Sequence, residues 1–326
     1  MIPGVLNAIL SMYPAIVRPT SAPEPLGNAG GGSGARLWRY ASGRGALVAR
    51  AWPPDGPGRP ELERIHRWLA EAEDLGFVPV PIAAMDGRTL RDHAGLLWEV
   101  TPWHSGQAVI SRPPPRPQLR AGLTALAAFH QVIARHQVHA PSPGLQARLH
   151  ELNALTLGGF DVLERAIDRA PSAFGRAPAR RWLDLARRAA PRVIPPLRLA
   201  TTRVVALQPC LRDARPEHLL FDGDRVTGLV DFGAMAIESV AADLSRLLAE
   251  WVGGDRSARA DALDAYCAVR PLDEAASGLL SVFEDSADLL GGGHWVRWYF
   301  VEGRVFNDPE SVLQGLERGV DRAARL

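Results

Sequence analysis

Hydrophobic and polar residues alternate in short runs within the first hundred residues. One run covers residues 36–40 (Arg-Leu-Trp-Arg-Tyr), and a second covers residues 46–52, after the turn Ser42-Gly43-Arg44-Gly45. A period of two is typical of half-buried β-strands, so both runs are predicted to be strands. Residues 77–82 and 96–101 are predicted to form two further strands.

Other segments repeat their apolar positions with the period of a helix. Between the second and third predicted strands, residues 61–75 place Leu62, Ile65, Leu69 and Ala72 on one stripe. Beyond the proline-rich connector at residues 112–117 the pattern is mostly helical. The predicted helices there are residues 118–136, 144–155, 160–169 and 177–190, with more from residue 242 onward.

Composition excludes several classes of function. The chain has 326 residues, enough for one large or about two ordinary domains, and a net charge of +1 without a long basic run. Nucleic acid and membrane surfaces are therefore not expected as partners. All 37 basic residues are Arg. Chemistry that requires Lys, such as a Schiff base or a phosphate-binding loop ending in Gly-Lys, is excluded.

Cysteine usage and hydropathy favour a cytoplasmic enzyme. The two cysteines, Cys210 and Cys267, are too few for a disulfide framework or a metal cage. Prolines interrupt the apolar N-terminal stretch, so no signal peptide is predicted. No run approaches the 18 uninterrupted apolar residues of a membrane-spanning helix.

The segment 204–244 carries most of the chemical information. A β-rich run leads into a loop with Leu211-Arg212-Asp213. Two short predicted strands follow, flanking the turn Asp222-Gly223-Asp224, and the second ends in Asp231-Phe232-Gly233. This order of motifs resembles the aminoglycoside phosphotransferase and choline-kinase-like family, whose pattern is His-x-Asp, four residues, Asn, two strands and Asp-Phe-Gly. The chain keeps both aspartates but has Leu211 for the His and His218 for the Asn.

The resemblance implies an α+β, two-lobe, protein-kinase-like fold. Residues 1–101 would form a small β-rich nucleotide-binding lobe, and residues 102–326 a larger, mainly helical lobe containing the catalytic hairpins. Asp213 would orient the attacking hydroxyl, and Asp231 would bind the metal that bridges the nucleotide phosphates. The metal implied is Mg²⁺, with ATP as co-substrate.

His218 leaves three alternatives open, because imidazole is a poor ligand for Mg²⁺ and suits softer ions. His218 binds Mn²⁺ or another borderline ion, or the neighbouring Glu217 supplies the oxygen ligand, or the second metal site is absent. Both Asp231 and His218 are taken as candidate metal ligands.

Nucleotide-binding residues are expected in the first lobe. Gly30, Gly31, Gly32 and Ser33 precede the first strand and offer backbone N–H groups to phosphates. Arg50 stands where the family has its phosphate-binding Lys, so charge is kept while geometry changes. Glu61 is a possible ion partner of Arg50, although a solvated Glu at the boundary of the apolar stripe is the favoured interpretation.

Two further site residues are expected in the last strand of this lobe. The resemblance implies that backbone groups of residues 98–101, including Glu99 and Thr101, contact the adenine ring.

The leading functional hypothesis is an ATP-dependent kinase for a small-molecule hydroxyl, with a nucleotide and a small acceptor as partners. The alternative is a catalytically weak or inactive pseudokinase, since Leu211, His218 and Arg50 all depart from the family pattern. A protein kinase is disfavoured, because the chain has no His-Arg-Asp segment and no Ala-Pro-Glu segment after Asp231-Phe232-Gly233. An aromatic run with Trp295, Trp298, Tyr299 and Glu302 is a candidate acceptor site or, alternatively, helical core.

Overall fold

The computed structural model describes residues 2–27, 34–306 and 308–326. The chain forms two compact units, each of three segments. The first unit contains Met1–Gln137, Gln208–Ile237 and Leu247–Pro271, and the second contains Val138–Leu207, Glu238–Arg246 and Leu272–Leu326. The lobe boundary expected between residues 101 and 102 stays a prediction.

An antiparallel sheet of five strands dominates the first unit. The strands are β1 (Glu24–Pro25), β2 (Arg36–Ser42), β3 (Gly45–Trp52), β4 (Arg91–His93) and β5 (Leu96–Pro102). Their order across the sheet is β1-β2-β3-β5-β4. Strands predicted at residues 36–40, 46–52 and 96–101 are confirmed as β2, β3 and β5. The alternation that predicted them also gives the sheet two different faces.

One face of the sheet packs on the N-terminal helix α1 (Ile2–Ser11), which the sequence did not predict. The indole rings of Trp38 and Trp98 stack on this face with centroids 5.5 Å apart. The other face packs against helix α2 (Arg59–Glu71) through Leu37, Val48, Trp52 and Leu62. The first core cluster contains Leu6, Ile9 and Leu10 of α1 with Tyr40, Ala49 and Val100 of the sheet.

The prediction of a strand at residues 77–82 is wrong. Pro79 and Pro81 lack the N–H group that a strand needs for its ladder, and the segment has no regular structure. Ile82 still donates its N–H to the carbonyl oxygen of Val100 at 2.8 Å. The segment therefore lies along the sheet without becoming one of its strands.

The rest of the first unit contains a second small sheet and helices. Strands β9 (Leu219–Asp222) and β10 (Arg225–Leu229) form the expected hairpin, and β6 (Gln107–Ala108) pairs with β9. Helix α3 (Arg116–Val132) packs beside α8 (Arg256–Cys267). Helix α7 (Val240–Trp251) begins in the second unit and ends in the first.

The second unit is mainly helical. Its helices are α4 (Pro143–Ala154), α5 (Phe160–Arg169), α6 (Arg176–Ala200), α9 (Glu274–Val296) and α10 (Pro309–Ala323). The long helices α6, α9 and α10 pack on one another. Strand β7 (Val138–Ala140) pairs antiparallel with β8 (Val205–Cys210) through residues 205–207. A short strand, β11 (Ala236–Glu238), precedes α7.

Helix α6 extends ten residues beyond its predicted end at residue 190, despite Pro191, Pro195 and Pro196. Its buried stripe continues through Val193 and Leu197 with helical spacing. Burial of this apolar stripe outweighs the hydrogen bonds that the prolines remove. Among the described residues, no helix combines the length and apolar character that crossing a bilayer requires.

Candidate active site

The first unit contains a cavity of about 380 Å³, a size typical of small-molecule sites. Its wall combines one face of the five-stranded sheet, the inner side of α2, and the loops around β9 and β10. Residues from these three parts include Val48, Arg50, Glu99, Thr101, Leu62, Ile65, His66, Glu217, His218, Asp231, Phe232 and Gly233.

Arg50 enters the cavity wall from β3. It lies directly opposite Glu99 of β5 in the register of the sheet, and its Nε is 3.6 Å from Oε1 of Glu99. The guanidinium also lies over the indole ring of Trp52, 4.8 Å from the centroid. The cation expected in this lobe is therefore held at the cavity by neighbours on its own sheet.

Glu99 is a buried carboxylate with a partner on each oxygen. Oε2 accepts a hydrogen bond from Nε2 of His66 at 2.7 Å, and Nδ1 of His66 lies 2.8 Å from the hydroxyl of Thr89. Burial alone would raise the pKa of the Glu99 carboxyl. The hydrogen bond from His66 and the charge of Arg50 outweigh burial and hold that pKa below its usual range.

The carboxylate beside Arg50 belongs to Glu99, so the favoured interpretation of Glu61, a solvated residue, agrees with the described contacts of Arg50. Thr101 also lies in the cavity wall, near the end of β5. Just beyond it, the N–H of Trp103 donates to the carbonyl oxygen of Ala46 at 3.0 Å. Contact of the Glu99 and Thr101 backbone with adenine stays a prediction.

Asp213 lies in the loop after β8. Leu211, in the place of the family His, is fully buried. The carboxylate of Asp213 accepts a hydrogen bond from Nε of Arg215 at 3.1 Å, and about a third of its side chain is exposed. Asp213 is thus accessible to a ligand while already engaged by a cation of its own loop.

His218 connects Asp213 with Asp231. Its Nδ1 lies 2.8 Å from the carbonyl oxygen of Asp213. A carbonyl oxygen only accepts, so Nδ1 carries the hydrogen, and Nε2 of the neutral ring then carries a lone pair. That Nε2 lies 3.5 Å from Oδ2 of Asp231. Two potential metal-ligand atoms are therefore adjacent at the cavity.

Asp231 has a left-handed backbone, with φ of 64°. A non-glycine residue keeps this conformation only where its surroundings impose it, as is common in functional sites. Phe232 anchors the segment by packing on Phe129, with centroids 5.3 Å apart. Gly233 is needed for space. A Cβ there would lie 2.6 Å from the ring of Trp52.

Four of the expected nucleotide-binding residues, Gly30, Gly31, Gly32 and Ser33, lie outside the described residues. Their role stays a prediction.

The aromatic run in the second unit does not offer an open face to a cationic acceptor. Residues 297–301 form a π-helical turn, and the guanidinium of Arg304 lies 5.1 Å from the ring centroid of Trp298. Glu302 accepts a hydrogen bond from Arg304 at 2.6 Å. The chain itself therefore supplies the cation that pairs with this ring and this carboxylate, which favours a structural role.

Sequence reasoning missed the parts played by His66 and by the side chain of Glu99. The sequence did contain a signal for His66, because this polar residue lies next to the apolar stripe of α2. The structure shows that its side chain is almost fully buried. The pairing of Glu99 with Arg50 had none, since it depends on the register between two strands that are about fifty residues apart in sequence.

Comparison with known proteins identifies the family and the fold. The model of the phosphotransferase enzyme family matches residues 26–279. An aminoglycoside phosphotransferase from Alicyclobacillus acidocaldarius has a similar structure, with TM-score 0.65, 17% identity, and coverage of 100% of this chain and 94% of that chain. No curated protein sequence matches.

Two further solved structures are similar. One is an amicoumacin kinase in complex with AMP-PNP, Ca²⁺ and Ami, with TM-score 0.65, 12% identity and coverage of 98% of this chain and 92% of that chain. The other is a microcompartment-associated aminopropanol kinase, with TM-score 0.62, 16% identity and coverage of 99% and 96%. At these identities the likeness shows the fold, and it confirms the α+β, kinase-like class expected from the sequence.

Proposed function

Because the chain belongs to the phosphotransferase enzyme family, we propose that it is an ATP-dependent kinase that phosphorylates a hydroxyl group of a small molecule. One observation carries this proposal. A single cavity presents the cation Arg50 and the adjacent pair His218 and Asp231, and His218 is hydrogen-bonded to the backbone of Asp213.

Phosphoryl transfer requires alignment and charge neutralisation more than covalent chemistry. In the proposed site, Asp213 accepts a hydrogen bond from the acceptor hydroxyl and orients its oxygen toward the γ-phosphate. Arg50 neutralises phosphate charge from the opposite wall. Glu99 and Thr101 are proposed to line the base-binding end, with Gly30 to Ser33 at the phosphates.

The donor set at His218 and Asp231 fits a divalent cation. Neighbouring ligands of an octahedral ion lie about 3 Å apart, close to the 3.5 Å between Nε2 of His218 and Oδ2 of Asp231. A divalent ion held by His218 and Asp231 would offset the negative charge of the phosphates during transfer. Because one donor is an imidazole nitrogen, we propose that Mn²⁺ serves at least as well as Mg²⁺.

The acceptor is proposed to be a small alcohol, in keeping with the amicoumacin and aminopropanol kinases of similar fold. The near-neutral net charge of +1 provides no electrostatic basis for a nucleic-acid or membrane partner. The cytoplasm is the proposed compartment, because the ATP co-substrate is present there.

A second candidate function is nucleotide binding without efficient turnover. The observation that favours it is the engagement of Asp213 by Arg215 at 3.1 Å. A carboxylate oxygen that already accepts a hydrogen bond from a cation of its own loop is less available to the acceptor hydroxyl.

Thermal unfolding with nucleotide tests the proposed function. ATP with Mn²⁺ or Mg²⁺ should raise the melting temperature, since a ligand that binds only the folded state stabilises it. Asp231→Asn should abolish the metal-dependent part of this rise and leave the melting temperature of the ligand-free protein nearly unchanged. Metal-dependent stabilisation that persists in Asp231→Asn would remove Asp231 from the site.

Turnover separates the two candidate functions. Asp213→Ala should bind ATP like the wild type but lower phosphoryl transfer, or background ATP hydrolysis, by about 10²-fold or more. A wild type that binds ATP but shows no turnover above Asp213→Ala with either metal would establish the second candidate instead.

A further inference from the structure

Three charged or polar side chains form a continuous contact in the cavity wall, which we call the buried ion chain: Arg50, Glu99 and His66. Arg50 contacts one oxygen of the Glu99 carboxylate, and His66 contacts the other, at 3.6 Å and 2.7 Å. The side chains of Glu99 and His66 are 8% and 4% exposed, while Arg50 at 21% reaches the cavity. A continuous series of polar contacts therefore runs from α2 to the cavity surface.

We propose that Glu99 and His66 are positioning residues that aim the guanidinium of Arg50 at the nucleotide phosphates. The inference rests on the proposed function, because it requires that the cavity binds a nucleotide. The carboxylate that orients the phosphate-binding cation, Glu99, then comes from strand β5. The residue that holds this carboxylate in place, His66, comes from helix α2.

The geometry of the ion pair supports this role. The contact between Arg50 and Glu99 joins Oε1 to Nε, the inner nitrogen of the guanidinium, at 3.6 Å, and the two terminal NH₂ groups lie beyond that nitrogen. Those two groups form the fork that binds phosphate oxygens in a bidentate manner. A carboxylate that held the terminal groups instead would compete with the phosphate.

A cross-strand partner also limits the motion of a long side chain. Directly opposed residues of an antiparallel pair have Cβ atoms about 5 Å apart, so Glu99 constrains the middle of the Arg50 side chain. The indole of Trp52 supports the guanidinium from one side at 4.8 Å. Order present before binding lowers the entropy that a nucleotide must remove from Arg50.

His66 completes the arrangement by fixing the carboxylate. Its ring is held on the far side by the hydroxyl of Thr89 at 2.8 Å, and its position is set by α2, whose apolar side chains pack on the sheet. Without His66 one oxygen of a buried carboxylate would lose its hydrogen bond. The carboxylate would then be free to rotate toward the terminal groups of Arg50.

A double-mutant cycle on nucleotide affinity tests the proposal. The four proteins are the wild type, Glu99→Gln, Arg50→Ala and the double variant, titrated with ATP and Mn²⁺. Glu99→Gln alone should weaken ATP binding by about tenfold, a usual coupling for residues in contact. In the Arg50→Ala background the same change should alter affinity less than about twofold. A purely structural loss would be the same in both backgrounds.

Glu238→Gln is the matched control. Glu238 is also a buried glutamate, with hydrogen bonds from Ser142 and Gly144 within the second unit, and it does not line the cavity. It should lower the melting temperature without changing ATP affinity. If Glu99→Gln does not fold, His66→Leu in the same cycle decides the question, because it keeps Arg50 and Glu99 and removes the hydrogen bond that His66 donates to Glu99.

The outcomes separate this proposal from the proposed function. A wild type that binds no nucleotide with either metal overturns the proposed function and this inference with it. A wild type that binds ATP and a Glu99→Gln protein that binds equally well overturn the positioning role alone. The positioning role is also overturned if Glu99→Gln lowers ATP affinity tenfold both with Arg50 and with Ala at residue 50. Glu99 would then not act through Arg50.

Discussion

His218 contacts two candidate site residues through its two ring nitrogens. Nδ1 donates to the backbone carbonyl of Asp213, and Nε2 lies beside the carboxylate of Asp231. The first contact selects the tautomer, and the tautomer leaves a lone pair on the nitrogen that lies beside Asp231. The hydrogen bond from Nδ1 of His218 to Asp213 therefore leaves Nε2 of His218 available as a metal ligand beside Asp231.

His218→Asn should shift the metal preference of nucleotide binding toward Mg²⁺. The amide offers a hard oxygen where the imidazole offers a nitrogen, so the ratio of ATP affinities with Mn²⁺ and Mg²⁺ should fall by about tenfold. Thermal-shift titrations with each metal measure this ratio. His139→Asn, at an exposed residue of β7, is the control. An unchanged ratio would show that residue 218 does not contact the metal.

Asp288 is a partly buried carboxyl of the second unit with a raised pKa. Burial raises its pKa to about 6, although Arg322 lies 3.8 Å away and opposes the shift. Its Oδ1 has no hydrogen-bond partner among the described residues. The folded state therefore retains a proton that the unfolded state loses at lower pH.

The raised pKa of Asp288 makes the stability of the fold depend on pH. The stability that protonated Asp288 contributes is complete below 3.8, the ordinary pKa of an aspartate, and is lost as pH rises through about 6. Asp288→Asn should remove that loss, which is on the order of 2 kcal/mol. Urea unfolding at pH 4 and pH 7 should show the variant gaining stability relative to the wild type at the higher pH. Parallel pH profiles would contradict the raised pKa.

At the scale of elements, the first turn of α4 is capped by two side chains. Ser142 accepts a hydrogen bond from the N–H of Leu145 at 3.1 Å, and Glu238 accepts one from the N–H of Gly144 at 2.6 Å. Ser142 also donates to Glu238 at 2.6 Å. A buried carboxylate at a helix N-terminus is stabilised by these donors and by the helix dipole.

Gly144→Ala should disturb this cap. An added Cβ would lie 2.4 Å from Oε2 of Glu238, so the carboxylate must move away from its donor, at a cost of about 1–3 kcal/mol. Gly278→Ala is the matched control, because Gly278 lies within α9 with nothing within 4 Å of the added atom. Helix propensity predicts that the control gains about 0.5–1 kcal/mol. Melting temperatures that rise in both variants would refute the close approach.

At the scale of the whole molecule, every one of the 37 basic side chains is an arginine. No phosphate bound by this protein is therefore bound by a lysine, and the permanently charged side chains that can neutralise it are all guanidinium groups. The difference matters chemically, because a guanidinium stays protonated and unreactive toward reagents that acylate amines.

Nucleotide binding should accordingly resist amine-directed reagents. Reductive modification with pyridoxal phosphate should leave ATP affinity unchanged, whereas an arginine-directed dicarbonyl such as phenylglyoxal should lower it, with ATP and Mn²⁺ protecting. The Arg50→Lys variant is the positive control, because it places an amine in the cavity wall and should become sensitive to pyridoxal phosphate. Loss of wild-type binding after amine modification would contradict the role assigned to Arg50.

Local patterns in the sequence were sufficient to predict several secondary-structure elements and the family of this protein. Alternation was sufficient to predict β2, β3 and β5, and helical spacing was sufficient to predict α5 with its observed bounds at residues 160 and 169. The two aspartates, 213 and 231, were identified from motif order, and the family was recognised from the same segment. These features depend on neighbours within a few residues, which a sequence displays directly.

The tertiary structure alone decided the features that depend on distant partners. The pairing of Arg50 with Glu99 depends on the register of two strands, and the burial of His66 depends on how α2 packs against the sheet. Helix α6 continues past Pro191 because its apolar stripe is buried. Local helix propensity predicts an end at the proline, since it takes no account of that burial. Burial and strand register are set by residues far apart in the chain, so only the folded structure places these side chains together.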